Sequence, residues 1–281
     1  MQTITRRTAI RSAALAALGS RLAGAAGRKL LIGVTDWNLN QGARPEAVPL
    51  AARLGFDGVQ VSFGRKMAGD KMPLDDPAIL AQYLKLAKES GIAIDGTCVD
   101  RLHDNGLKSD PKAPQLVLDS IRLTKALQTK VLLLPFFGKW ALETAQEKEY
   151  TADALKELAP EAAKAGVVLG LENTISAEDN VRIMERAHSP NVLVYYDVGN
   201  STNKGFDAVK EIRWLGKDRI CQIHLKDNPA YLGEGSIDFP AVVQAIRDIG
   251  FTGYCNLETD VHRGASVDAD MARNLGYIRK L

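Results

Sequence analysis

The chain has 281 residues and is nearly balanced in charge, with 36 Lys and Arg against 34 Asp and Glu. Four of the arginines lie within residues 1–25, which contain no acidic residue, so residues 26–281 carry a slight excess of negative charge. This balance argues against a nucleic acid or an anionic membrane surface as the partner. Three cysteines without paired spacing also argue against a disulfide scaffold.

The first 25 residues have the pattern of an export signal. Arg6 and Arg7 form a twin-arginine pair, an apolar stretch runs from Ala13 to Leu18, and Ala23-Gly24-Ala25 offers a small-residue cleavage site. The apolar stretch is too short for a permanent membrane helix. We therefore expect residues 1–25 to be a cleaved twin-arginine signal peptide and the mature protein to be periplasmic without a membrane anchor. An alanine-rich helical arm is the alternative.

After residue 25 the chain alternates between strand-like and helix-like segments without a linker. Apolar runs of strand length occur near residues 30–35, 57–62, 92–98, 131–136, 167–172, 192–197, 220–225 and 254–258. Helical patterns lie between them, and several close with a glycine suited to a left-handed C-cap, such as Gly91 and Gly166. Eight such units predict an α/β fold of the (β/α)8 TIM barrel type, as a single domain over residues 26–281. An open doubly wound sheet is the alternative, but no GxGxxG or Walker motif supports it.

Each of the last four predicted strands ends in a polar residue that can bind a metal ion. These residues are Glu172 in VVLGLEN, Asp197 in VLVYYDVGN, His224 in ICQIHLKD and Glu258 in YCNLET. The carboxyl ends of barrel strands form the face that carries the active site in this fold, so the four side chains are expected to meet on one rim. Three carboxylates, one imidazole and no thiolate favour Mn²⁺, with Co²⁺, Mg²⁺ and Zn²⁺ as alternatives.

A metal ion on this rim predicts a proton-transfer reaction on a sugar. A ketose that chelates the ion through its carbonyl and neighbouring hydroxyl would have an acidified C–H bond and a stabilised enediolate. A nearby carboxylate can then take and return the proton. Because Glu172 and Glu258 come from strands five and eight, one could deprotonate one face of the sugar while the other reprotonates the opposite face. The predicted reaction is therefore an isomerisation or epimerisation with these glutamates as acid and base.

The ordered motifs LEN, YYDVGN, IHLKD, a GEG loop at residues 233–235, and NLET resemble a known family. That family is the sugar phosphate isomerase/epimerase group of xylose isomerase-like TIM barrels, which includes ketose 3-epimerases and inosose dehydratases. The resemblance covers nearly all of residues 26–281. It implies a TIM barrel, a divalent metal held by the same four residues, and an acid/base role for the two glutamates. Because the family spans several reactions, the resemblance indicates fold and metal more than substrate.

Further polar and aromatic residues follow the predicted strands on the same rim and are candidates for substrate binding. Aromatic rings stack on the apolar face of a sugar, and cationic side chains can stabilise an enediolate oxygen. The predicted substrate-binding set is Trp37, His103, Phe136, Lys139, Asn200, Lys226 and Glu234. Ordinary packing under the loops is the alternative for the aromatic residues, and solvated loop positions are the alternative for His103 and Lys139.

The predicted function is a metal-dependent isomerase or epimerase acting on a non-phosphorylated sugar or keto-sugar. Phosphorylated metabolites are largely intracellular, and the loops after strands seven and eight carry no glycine-rich phosphate cradle. One alternative is a lyase or dehydratase that uses the same enediolate, as in an inosose dehydratase or a keto-glycoside β-elimination. Another is a non-catalytic carbohydrate-binding barrel. Only four histidines are present, with His224 alone in a convincing ligand position, which argues against a multi-metal barrel endonuclease. Association into a homo-oligomer is left open.

Overall fold

The computed structural model describes residues 29–66, 69 and 71–281. Within them, eight parallel strands pair in chain order, and the last strand pairs with the first to close a barrel. The strands are β1 (Leu31–Thr35), β2 (Gly58–Ser62), β3 (Ala93–Cys98), β4 (Val131–Pro135), β5 (Val168–Glu172), β6 (Val192–Asp197), β7 (Ile220–Leu225) and β8 (Tyr254–Leu257). The predicted (β/α)8 TIM barrel is confirmed, and the open-sheet alternative is wrong. The predicted signal peptide over residues 1–25 lies outside the described residues.

The α-helices of the described residues follow the strands in chain order, the last of them after β8, and pack around the barrel. They are α1 (Ala47–Leu54), α2 (Pro77–Ser90), α3 (Ala113–Ala126), α4 (Ala145–Ala165), α5 (Ala177–Ala187), α6 (Val198–Asn203), α7 (Ala208–Leu215), α8 (Phe239–Asp248) and α9 (Val267–Ile278). Local capping explains where they start and stop. Thr144 and Glu147 form a reciprocal capping box at the start of α4, and Gly166 ends that helix with a φ of 73°. None of the helices in this part of the chain has the length and apolar character that a membrane crossing requires.

The interior of the barrel is partly polar beneath the rim predicted to carry the site. Asp95 of β3 is buried there, and its Oδ1 accepts hydrogen bonds from Gln222 Nε2 at 3.0 Å and from Asn256 Nδ2 at 2.9 Å. Glycines make the room, because a Cβ at Gly33 or Gly58 would lie 2.3 or 2.4 Å from Asp95 Oδ2. A continuous apolar core lies around this polar centre, between the strands and the helices. The barrel is thus built to hold a buried polar network directly under its carboxyl-end rim.

Candidate active site

Four ligand-type side chains meet at the carboxyl ends of β5 to β8. Glu172 and Asp197 are the last residues of β5 and β6. His224 is the second-last residue of β7 and is paired with Asp197 across the two strands. Glu258 directly follows β8, where its amide donates to Leu225 O at 3.1 Å. One ligand atom from each of the four lies within 4.8 Å of every other, so the structure brings the whole predicted ligand set together.

A cavity of about 720 Å³ opens above these residues, and only two of the four side chains line it. Glu172 and Glu258 line the cavity. Asp197 and His224 lie beneath them, with side chains 1% and 0% exposed. The two glutamates can therefore reach both an ion and a bound molecule, whereas Asp197 and His224 can reach only the ion.

The imidazole of His224 is oriented by contacts on both of its nitrogens. Nδ1 faces the carboxylates, 2.8 Å from Glu172 Oε1 and 3.5 Å from Glu258 Oε2. Nε2 lies 2.8 Å from Gln60 Oε1, which also accepts the Tyr195 hydroxyl at 3.0 Å. We assign the proton to Nε2, because the Gln60 amide oxygen can only accept. That tautomer leaves the Nδ1 lone pair directed at the position an ion would take.

Lys226 and Trp37 supply the hydrogen-bond donors around Glu258. The Lys226 ammonium lies 2.5 Å from Glu258 Oε2 and 2.9 Å from Asp197 Oδ2. The Trp37 indole Nε1 donates to Glu258 Oε1 at 3.2 Å. Both carboxylate oxygens of Glu258 are therefore held by groups that also line the cavity.

The pKa values of the site follow from burial and from the close charges. Burial raises the pKa of Asp197 to about 8, and the neighbouring charges of Glu258 and Glu172 add to this effect. Burial also acts to raise the pKa of Glu258, but the charges of His224 and Lys226 outweigh it and lower that pKa to about 2. For His224, burial acts to lower the pKa, but the carboxylates of Glu258 and Glu172 prevail and raise it. The charges of Glu258 and Glu172 act to raise the pKa of Asp197, so the three close carboxylates repel one another, and a cation placed among them would relieve this repulsion.

The donors of the cluster fit a divalent ion. They are carboxylate oxygens and one imidazole nitrogen, the set that Mn²⁺, Co²⁺ and Mg²⁺ prefer, and Zn²⁺ also accepts it. Asp197 Oδ1 is occupied, since it accepts the Asn200 amide at 2.7 Å as the cap of α6. Asp197 Oδ2 is buried, and the Lys226 ammonium lies 2.9 Å from it. This oxygen already has a cation as its neighbour, and a divalent ion would supply positive charge at the same place.

The structure divides the seven predicted substrate-binding residues into two groups. Four of them line the cavity: Trp37, His103, Asn200 and Lys226. Phe136 does not, because it is fully buried in the apolar core, and its neighbour Phe137 lines the cavity in its place. Lys139 lies over the ring of Trp140, with Nζ 4.9 Å from the ring centroid, and Glu234 pairs with Arg273 outside the cavity. Phe136 and Lys139 are predicted from their place after β4 and Glu234 from the GEG loop after β7, and neither kind of position fixes the direction of a side chain.

Sequence reasoning missed the cationic residues at the outer end of the cavity. Arg44 follows β1, and Arg65 and Lys66 follow β2, and all three line the cavity. They belong to loops without hydrophobic periodicity, so no pattern marks their direction. The signal that could have found them is positional, because every loop after a strand of this fold lies on the active-site face.

The comparison with known proteins agrees with this architecture. The profile of the family described as Xylose isomerase-like TIM barrel matches residues 48–281. The chain belongs to this family.

Individual relatives are sugar epimerases by name. A 2-epi-5-epi-valiolone 7-phosphate 2-epimerase from Actinoplanes sp. is 32% identical over 207 residues, which cover 72% of this chain and 74% of that protein. A solved structure of D-psicose 3-epimerase with D-tagatose, from Clostridium cellulolyticum H10, has a TM-score of 0.76 at 19% identity. The match covers 89% of this chain and 99% of that chain. The 3-keto-D-glucoside 4-epimerase of E. coli has a TM-score of 0.74 at 17% identity, over 90% and 100% of the two chains. The two solved structures show the shared fold.

Proposed function

We propose that the protein is a divalent-metal-dependent epimerase that acts on a ketose or keto-sugar. The observation that carries the proposal is that the four clustered side chains differ in their access to the cavity. Asp197 and His224 are buried under the cavity, whereas Glu172 and Glu258 line it. Two carboxylates can therefore face a substrate that approaches the ion. The names of the relatives, which are epimerases of a ketose, a 3-keto-glucoside and a valiolone phosphate, support the same class of reaction.

The four clustered residues would hold the ion, which would act as a Lewis acid on a carbonyl and its neighbouring hydroxyl. Mn²⁺ is the proposed ion because three of the four ligands are carboxylates. Around the reacting end, Trp37, Pro135 and Phe137 offer apolar surface to the C–H face of a sugar ring. Asn200 and Lys226 offer hydrogen-bond donors to its hydroxyls.

The two glutamates would move the protons. One carboxylate accepts the proton from the carbon next to the carbonyl, and the C–H electron pair passes to the carbonyl oxygen, which gives an enediolate. The other glutamate, protonated, gives its proton to the opposite face of that carbon, and the electron pair returns to form the new C–H bond. Glu172 and Glu258 suit these roles because they come from strands three places apart in the ring. Each turnover inverts one carbon and leaves the abstracted proton on the glutamate that accepted it, from which it exchanges with solvent, while the donor glutamate takes up a new proton from solvent.

Solvent deuterium uptake tests this proposal. The purified full chain, loaded with Mn²⁺, is incubated in deuterated water with a panel of ketoses and keto-sugars. We expect one deuterium at one carbon of a recovered epimer. We expect Glu172→Gln and Glu258→Gln each to lower turnover by at least about a hundredfold, since acid/base catalysis contributes on the order of 100- to 10,000-fold.

Other outcomes would replace the proposal. An unsaturated or cleaved product would identify a lyase or dehydratase that uses the same proton abstraction. Sugar binding without turnover, unchanged by either glutamine substitution, would identify a carbohydrate-binding barrel. If the protein bound no divalent ion at close to one equivalent, both the metal-dependent epimerase and the metal-dependent lyase would be excluded. The non-phosphorylated substrate and the export of residues 26–281 stay predictions from the sequence.

A further inference from the structure

The cavity has charges of opposite sign at its two ends. Its floor is the ligand cluster, where three carboxylates lie around the Lys226 ammonium and the His224 imidazole. Its outer wall is formed by the loops after β1 and β2 and carries Arg44, Arg65 and Lys66. A divalent ion would neutralise the floor. The outer wall would then remain the charged part of the cavity.

Acidic neighbours neutralise Arg44, Arg65 and Lys66 less completely than the carboxylates of the ligand cluster neutralise Lys226. Arg44 and Lys66 are exposed and form no ion pair with the described residues. Arg65 pairs with Asp104 at 2.7 Å, but Asp104 also pairs with Arg101 at 3.0 Å, so one carboxylate serves two guanidinium groups. Asp100 also lines the cavity and interacts with the charge of Arg65. Asp100 and Asp104 together offer two carboxylates against the four cations Arg44, Arg65, Lys66 and Arg101, so this side of the cavity keeps a net positive charge.

Arg65 is also held in place, which distinguishes it from a freely moving surface arginine. Asp104 contacts both its Nε and its Nη2, and Arg101 Nη1 donates to the backbone oxygen of Arg65 at 2.7 Å. On the same wall, His103 stacks on Phe137 with ring centroids 6.0 Å apart. Asp104 occupies the Nε and Nη2 side of the guanidinium, which leaves its remaining N–H groups to donate to a carboxylate or phosphate oxygen in the cavity.

We propose that the substrate carries an anionic group, a carboxylate or a phosphate, at the end remote from the reacting carbon, and that Arg44 and Arg65 bind it with Lys66 beside them. This assignment rests on the proposed function, because it orients the carbonyl of the substrate toward the ligand cluster and the anion toward the outer wall. The opposite orientation would place the anion among Glu172, Asp197 and Glu258. The two ends of the cavity thus define both the class of substrate and its direction.

Matched substrates test the proposal. Each ketohexose of a panel is supplied in three forms, neutral, 6-carboxylate and 6-phosphate, and turnover is followed by deuterium uptake with the Mn²⁺-loaded full chain. For the stereoisomer that reacts, we expect kcat/KM for an anionic form to exceed that of the neutral form by about tenfold or more, as expected for charge-assisted hydrogen bonds. The form that reacts better identifies the source of the anion, and a preference for the phosphate would contradict the non-phosphorylated substrate that the sequence predicts. Equal or better turnover of the neutral form would overturn the proposal.

Variants test which residues are responsible. The double variant Arg44→Gln and Arg65→Gln should remove the preference for the anion, so that the ratio of kcat/KM for the anionic form to kcat/KM for the neutral form falls from about tenfold to about one. Arg65→Lys, which keeps the charge but not the fork, should fall between the double variant and the wild type. Lys88→Gln removes an exposed charge in the last turn of α2 and is the matched control. An anion preference that survives in the double variant would overturn the assignment to these arginines.

Inorganic phosphate separates this proposal from the proposed function. Phosphate titration of the Mn²⁺-loaded protein by calorimetry should show binding that the double variant loses, whereas binding to the metal ion would survive in that variant. The NMR titration of His103 gives a second readout, because an anion beside Arg65 should raise the pKa of that imidazole, which burial and then the Arg65 charge lower. Phosphate binding without turnover of any sugar would sustain the subsite while the proposed epimerase failed. Turnover of neutral sugars without phosphate binding would sustain the proposed epimerase and overturn the anion subsite.

Discussion

Gln60 Oε1 lies 2.8 Å from Nε2 of His224, on the side of the imidazole that faces away from the carboxylates. The same oxygen accepts the Tyr195 hydroxyl, and Asn256 Nδ2 lies 3.4 Å from that hydroxyl. Since Asn256 also donates to Asp95, a chain of buried polar contacts runs from the ligand cluster into the barrel centre. The predicted metal site thus has a second layer that controls the orientation of its only imidazole.

Replacement of Gln60 should weaken metal binding without unfolding the barrel. Gln60→Leu removes the acceptor for the His224 Nε2 proton, so the tautomer with a free Nδ1 is no longer favoured. We expect the dissociation constant for Mn²⁺ to rise by about 10- to 100-fold, the usual cost of losing such a partner. Calorimetric titration with Mn²⁺ measures this change.

Gln222→Leu is the matched control for Gln60→Leu. Gln222 is equally buried in the barrel and contacts Asp95 rather than His224. A similar loss of Mn²⁺ affinity in both variants would show that disruption of the interior, and not the histidine contact, is responsible. Gln60→Glu keeps an acceptor oxygen and should retain more affinity than the leucine variant.

Lys226→Met should make the metal-free protein less stable and the metal-loaded protein comparatively unaffected. The Lys226 ammonium is largely buried and pairs with both Asp197 and Glu258, so its loss leaves two buried carboxylates without their cation. Breaking a buried pair in this way costs about 3 kcal/mol. Mn²⁺ should restore most of that stability, because it supplies positive charge to the same oxygens.

Urea unfolding with and without Mn²⁺ measures this effect. Lys210→Met is the control, because Lys210 forms an exposed pair with Asp207. Its loss should change the unfolding free energy by less than about 1 kcal/mol in either condition. If Mn²⁺ failed to restore the Lys226 variant relative to this control, the ion would not share the oxygens that the ammonium contacts.

Much of this fold and ligand cluster could be predicted from the sequence, because both depend on regular strands. The ends of β5 to β8 are marked by the point at which an apolar run turns polar, and Glu172 or His224 stands there. The side-chain direction beyond a strand end is not marked in this way. Phe136 and Phe137 follow β4 together, yet only the second lines the cavity.

Residues that come from loops or from the barrel interior were harder to predict for a physical reason. The direction of Arg44 depends on backbone contacts within its loop, such as the Ala43 amide donating to Asp36 Oδ2 at 3.0 Å. Asp95 lies mid-strand in β3, where local sequence favours an apolar side chain. Its place becomes evident only when Gly33 and Gly58 from other strands are seen to make room for it.

Asp95 should make the stability of the protein depend on pH. Burial raises its pKa to about 7, against the hydrogen bonds from Asn256 and Gln222, which act to lower it. A carboxyl with a raised pKa in the folded state contributes stability that is present below its unfolded pKa, near 4, and is lost as the pH rises through about 7. The unfolding free energy of the wild type, relative to Asp95→Asn, should therefore fall by at least about 1 kcal/mol between pH 5 and pH 8.

Urea unfolding of both proteins at pH 5 and pH 8 measures the Asp95 effect. Asp218→Asn provides the control, since the Asp218 side chain is 90% exposed and its substitution should give the same difference at both pH values. A difference between wild type and Asp95→Asn that stays constant or grows with pH would contradict a raised pKa.

Trp37→Phe should separate the hydrogen bond of the indole from its apolar surface. The substitution keeps an aromatic ring on the cavity wall but removes the Nε1 donor that holds Glu258 Oε1 at 3.2 Å. Glu258 then keeps the contacts of Oε2 with Lys226 and His224 but loses the donor that fixes Oε1, and it is less well placed for proton transfer. We expect kcat to fall by about tenfold with KM nearly unchanged, because a misplaced acid/base group affects the chemical step more than binding. Trp140→Phe is the matched control, because Trp140 Nε1 has no hydrogen-bond partner among the described residues and the ring does not line the cavity. Equal losses of kcat in the two variants would show that the Trp37 hydrogen bond does not position Glu258 for catalysis.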